Sequence, residues 1–85
     1  MIPKTKLKNK AKFLEPTVRI GKSGLTQNII TEINKQLKNR KLIKVKFLKS
    51  ALENTDKKQL AEQILENTDS ILIEKVGFVI VLYKK

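Results

Sequence analysis

The sequence predicts a single α+β domain over residues 1–85, a four-stranded mixed sheet packed with three helices in the order α-β-α-β-α-β-β. Three observations carry this reading. The chain has 85 residues, enough for one small core and no more. Apolar residues make up 40% of it, and their spacing alternates along the chain between the helical three-to-four and the strand period of two. Near the C-terminus two apolar runs are separated by Val76-Gly77, the pattern of an antiparallel hairpin.

Residues 4–14 read as the first helix. Leu7, Ala11 and Leu14 fall on one stripe, with Phe13 beside it as core or as an anchor for the helix. Lys4, Lys8 and Lys12 form a second stripe, and Lys6 and Lys10 a third. Like charges four residues apart weaken an isolated helix, so core packing or a bound anion must compensate. Glu15-Pro16 closes the segment, because proline disfavours the α conformation in the residue before it.

Thr17-Val18-Arg19-Ile20 alternates as a short strand with Val18 and Ile20 inward. Gly21-Lys22-Ser23-Gly24 is a tight loop. Thr26 is placed to cap a second helix that runs to about Asn39, with Ile29, Ile30, Ile33 and Leu37 on one face. Leu42 to Leu48 is the second strand. Ile43, Val45 and Phe47 point one way and Lys44 and Lys46 the other, so one face of the sheet is wet here. Asn54-Thr55-Asp56 supplies caps for a third helix to about Asn67, whose apolar face is Leu60, Ala61, Ile64 and Leu65. Ser70–Lys75 and Phe78–Tyr83 are the last two strands. The two β-α-β crossovers are expected to be right-handed. The fourth strand is apolar on both faces and is expected to be central or partly covered by the first helix. The second and third helices are expected on the face opposite Arg19, Lys44 and Lys46.

The charge separates along the chain. The net charge is +11, from 19 Lys and Arg against 8 Asp and Glu. Residues 1–50 hold 14 basic residues against Glu15 and Glu32, a balance of +12, while residues 51–85 come to −1. Such a polarised chain presents a basic face to a polyanion, with nucleic acid favoured over an acidic membrane surface. With no Cys and no His, the sequence excludes a disulfide framework, a thiolate nucleophile, a zinc finger and a histidine base or ligand. No apolar run approaches the ~18 residues of a membrane span, and the N-terminus carries no signal-peptide pattern. The chain is read as cytoplasmic and monomeric, with no cofactor, metal, membrane or small-molecule substrate. The acids around the third helix pair with no nucleophile or base, so no enzyme is expected.

Three groups are candidate contacts. The Gly21-Lys22-Ser23-Gly24 loop leads from a strand towards a helix start, where free backbone N–H groups attract anions and glycines admit a phosphate. A tight turn that needs glycines for geometry alone is the competing reading. The spacing is neither that of a P-loop nor that of a dinucleotide fingerprint. The lysines at 4, 6, 8, 10 and 12 are the second group, a phosphate-contact surface or a solvated face. Arg19, Arg40, Lys41, Lys44 and Lys46 are the third; Lys44 and Lys46 alone would also serve to protect a strand edge. Phe47 belongs to the core, Tyr83 is expected to pack, and no sheet face pairs aromatics as a base-stacking platform would.

These residues together resemble a known family. Pro16-Thr17-Val18 followed by Ile20-Gly21-Lys22-Ser23-Gly24-Leu25-Thr26, then Leu42-Ile43-Lys44-Val45-Lys46, then Gly77 with Val81-Leu82-Tyr83, is similar to the CRM domain of YhbY-like proteins. The likeness extends over essentially the whole chain. It implies an RNA-binding module whose Gly21–Gly24 loop, with Thr26 and the basic residues around it, grips RNA. Stand-alone members are implicated in maturation of the large ribosomal subunit, so ribosomal RNA or its precursor particle is the implied partner. Asn39-Arg40-Lys41 stands where bacterial members often carry a histidine and an acid, and Lys84 stands where arginine is common. An integral ribonucleoprotein subunit and a chromatin-type DNA binder are the alternatives.

Overall fold

The computed structural model describes residues 2–85. Its helices are α1 (Lys4–Ala11), α2 (Gln27–Arg40) and α3 (Lys57–Asn67). Its strands are β1 (Val18–Ile20), β2 (Leu42–Phe47), β3 (Ser70–Val76) and β4 (Val79–Lys84), and a short 3₁₀ turn covers Lys49–Leu52. The sheet order is β1-β2-β4-β3, with β1 parallel to β2 and β4 antiparallel to both its neighbours. The expected mixed sheet and the central position of β4 are both present.

The period-two pattern of β2 explains why two separate cores form. Ile43, Val45 and Phe47 join Val18, Ile20, Ile80 and Leu82 on one face, where Ile33 and Leu37 of α2 and Leu60, Ala61 and Ile64 of α3 cover them. On the other face Leu42, Ile73 and Val81 receive Leu7 and Ala11 of α1. Helix α1 has no side-chain cap and no acid in its first turn, and lysine stripes flank its buried stripe on both sides. Burial of Leu7 and Ala11 is therefore what holds it, as expected for a segment with weak helix chemistry of its own.

Local chemistry fixes the other ends. The Thr26 hydroxyl accepts from the Ile29 amide at 3.2 Å and starts α2. The Asp56 carboxylate accepts from the Gln59 amide at 2.8 Å and starts α3. The Thr17 hydroxyl donates to the Gln36 side-chain oxygen and ties the entry of β1 to α2. Buried Thr68 donates to the Ile64 carbonyl at 2.7 Å and pairs with buried Ser70 at 2.8 Å. Lys84 pairs with Asp69 at 2.8 Å. The Lys84 ammonium, by its hydrogen bond and its charge, holds the Asp69 carboxyl below the usual carboxylate range.

Four differences from the sequence reading have physical causes. Helix α1 stops at Ala11 rather than Leu14, because the chain tightens there: Phe13 donates back to Lys10 and Leu14 to Ala11. Leu14 still packs beneath α1, but Phe13 is turned into solvent at 88% exposure and is neither core nor anchor. The hairpin turn is Gly77-Phe78, one residue later than Val76-Gly77, with Val76 opposite Val79. Gly77 at φ +57° takes the first central position of the turn. Only Ile33 and Leu37 of the expected α2 face are fully buried, while Ile29 packs at its margin.

Candidate nucleic-acid interface

The Gly21–Gly24 loop leaves the C-terminal end of β1, where the sheet also presents the end of β2 and the β3–β4 turn. The Leu48 amide donates to the Ile20 carbonyl at 2.9 Å, and the Phe47 amide to the Phe78 carbonyl at 2.6 Å. The loop is a β-turn closed by the Gly24 amide on the Gly21 carbonyl at 2.9 Å. Lys22 and Ser23 form its exposed tip. Among the described residues, neither tip amide donates to a backbone carbonyl.

The two glycines differ. Gly24 lies at φ +70°, a conformation L side chains rarely adopt. Gly21 has no such constraint, and a Cβ there would meet Leu48 Cδ1 at 3.6 Å and Ser50 Oγ at 3.7 Å, ordinary contacts. The demands of the turn therefore account for Gly24 and leave Gly21 unexplained. Thr26 is committed to capping α2 through its hydroxyl oxygen, and its amide donates to the Gly24 carbonyl at 3.2 Å.

Strand register sets out the basic face. Arg19 sits beside Lys46, Lys46 beside Val79, and Lys44 beside Val81, all on the α1 side of the sheet. Lys12 lines a groove with Lys44, Glu74, Val76 and Val79. Lys10 lines a second depression with Arg40, Lys41 and Tyr83, and Lys4 a third with Lys84 and Lys85. Lys6 and Lys8 are exposed on α1. The sequence-derived residues thus fall into two groups. Arg19, Lys22 and Lys46 attend the loop. Arg40, Lys41 and Lys10 attend the opposite end of β2, about 17 Å away for six strand residues. Lys44 and Lys12 lie between, so a basic track joins the two ends.

Sequence reasoning missed two features of this surface. Lys57 donates to the Gly77 carbonyl at 2.9 Å and stands 4.7 Å from the centre of the Phe78 ring, a cation–π pair at the hairpin turn. Glu74 is brought to the basic face by a β-bulge between Leu72 and Glu74 that puts both Ile73 and Glu74 against Val81. An aromatic directly after a turn glycine was the available signal for the first. Strict alternation hid the second. Among the described residues no group of three His, Cys, Asp or Glu side chains could hold a metal.

Comparison with known proteins adds a family. The model of the CRS1 / YhbY (CRM) domain matches residues 3–84. A Methanocaldococcus jannaschii protein named as a probable RNA-binding protein is 43% identical over 81 residues, which cover 95% of this chain and 60% of that one. The Bacillus subtilis probable RNA-binding protein YqeI is 39% identical over 79 residues, covering 93% and 80%. The chain therefore spans less than two thirds of the archaeal relative's length. A solution structure of a Staphylococcus aureus protein described as a candidate RNA binder superposes with a TM-score of 0.79 at 39% identity, covering all of this chain and 90% of that one.

Proposed function

This chain belongs to the CRS1 / YhbY (CRM) domain family, and from that premise we propose that it is a non-catalytic RNA-binding protein. Its Gly21–Gly24 loop grips the RNA backbone. The partner is structured ribosomal RNA in a precursor of the large subunit, and the protein acts there as a monomeric maturation factor in the cytoplasm. The relatives named as RNA-binding proteins support the partner class. The observation that carries the loop assignment is Gly21, whose lack of a side chain the fold does not require. A bare Cα beside two free tip amides and the Lys22 ammonium is what a phosphate needs to come close. Arg19, Lys46, Lys44 and the α1 lysines neutralise the phosphates that follow, as point charges that position the RNA.

Crosslinking the protein to RNA in cells, with sequencing of the attached fragments and sedimentation of the protein, tests this. Fragments clustered in large-subunit ribosomal RNA, with the protein on immature particles and absent from salt-washed mature ones, are expected. Retention in salt-washed mature particles would make it a permanent subunit instead. Preference for duplex DNA over ribosomal RNA at fixed salt would contradict the reading altogether.

A further inference from the structure

The part of the α1-side sheet face that α1 leaves uncovered is ordered across its strands in a way the backbone grip does not use. The row nearest the loop runs Val76 on β3, Val79 on β4, Lys46 on β2 and Arg19 on β1. The next row runs Glu74, Val81 and Lys44, of which Val81 is buried beneath α1 while Glu74 and Lys44 are half-buried at its margin. The face is therefore basic at β1 and β2, apolar at β4 and, at Glu74 on β3, acidic. Val76 is 60% exposed, a large aliphatic left uncovered. Glu74 is the acid of this groove, and among the described residues its carboxylate has neither an ion pair nor a hydrogen bond, although Lys12 and Lys44 line the same groove. The bulge that delivers Glu74 is the kind of irregularity that re-aims a side chain.

We propose that this groove takes one unpaired nucleotide of the bound RNA crosswise, with its phosphate on Lys44, Lys46 and Arg19, its base on the exposed Val76 and the half-buried Val79, and its base edge against Glu74. The inference rests on the RNA-binding reading above and adds base selection to it. From β2 to β3 is two strand spacings, about 10 Å, which matches the reach of a nucleotide from phosphate to base edge. A carboxylate only accepts hydrogen bonds. Guanine sets two donors, N1–H and the N2 amino group, side by side on its Watson–Crick edge and fits a carboxylate in a two-point contact. Adenine and cytosine offer one amino group, and uracil flanks its single N–H with carbonyl oxygens that repel the carboxylate. The groove therefore selects guanine. Single-stranded loops and bulges present such an edge, whereas paired segments hide it.

The test measures binding of four U-rich RNA nonamers that carry G, A, C or U at the central position, at one salt concentration. The wild-type chain is expected to prefer the G nonamer over the U nonamer by roughly 5- to 100-fold. Glu74→Gln, a change on the edge strand that keeps side-chain size, is expected to remove most of that preference. It should leave affinity for the U nonamer equal or higher, since one negative charge is gone. Equal binding of the four nonamers, preference for another base, or a guanine preference that survives in Glu74→Gln would overturn the proposal. Gly21→Asp separates it from the loop assignment: weakening all four nonamers equally belongs to the loop, and losing selectivity belongs to the groove. If Gly21→Asp binds normally while Glu74→Gln loses selectivity, the groove stands and the loop falls. If the wild type binds no nonamer, both fall.

Discussion

Gly21 and Gly24 are alike as letters and different in space. Gly24 at φ +70° is held by the turn, so Gly24→Ala is expected to cost about 1 kcal/mol, a drop of about 4–8 °C in Tm for a domain this size. Gly21→Ala meets only ordinary contacts and is expected to change Tm by less than half as much. Thermal melts of the two variants check this. Lys41 is the third residue whose backbone bears on the site. It closes α2 at φ 68°, ψ −42°, the only non-glycine at positive φ among the described residues. Strain of about 1 kcal/mol or more is expected there. Lys41→Gly should therefore raise Tm while weakening RNA binding, a combination that a purely structural lysine would not give. The sequence made the loop and the lysines visible, since glycines and charges announce themselves. It left open which glycine the turn needs, because a φ angle depends on how β1, the turn and α2 are joined.

Among the elements, α1 is the most dependent on its surroundings. Its apolar stripe of Leu7 and Ala11 is one turn shorter than the periodicity suggests, and five lysines lie at or near it. Leu7→Ala removes its main anchor and is expected to cost about 2–3 kcal/mol. Amide exchange is the measurement: α1 should lose protection well before the sheet and the α2–α3 core, and RNA affinity should fall with it. If α1 and the core lose protection together, the two-core description is wrong. Caps, strand alternation and the hairpin were legible because each rests on neighbours in sequence. Phe13 and Glu74 were not. Phe13 lost its place because the backbone bonds from Phe13 to Lys10 and from Leu14 to Ala11 tighten the end of α1 and turn its ring into solvent. Glu74 changed face because of a bulge that no alternating pattern reveals.

Over the whole molecule, the +12 on residues 1–50 becomes one track from the loop, along Arg19, Lys46 and Lys44, to Lys10, Arg40 and Lys41. If that track carries phosphates, log affinity falls linearly with log salt concentration. Each lysine removed from it should then flatten the slope by about 0.7 for single-stranded RNA. Lys44→Gln and Lys46→Gln are expected to do so, and Lys58→Gln, away from the track on α3, is not. The charge separation itself was plain in the sequence. Its assembly into one track was not, because β4 had first to separate β2 from β3 and place α1 across the face.

The claim on which the rest depends is that RNA backbone sits on the Gly21 side of the loop. Gly21→Asp places a carboxylate there with room for its Cβ, and Gln63→Glu, on the exposed face of α3, makes a control of the same sign. With melting curves confirming both folds, the account predicts RNA affinity at least tenfold weaker for Gly21→Asp and nearly unchanged for Gln63→Glu. A folded Gly21→Asp that binds RNA as the wild type does would contradict it.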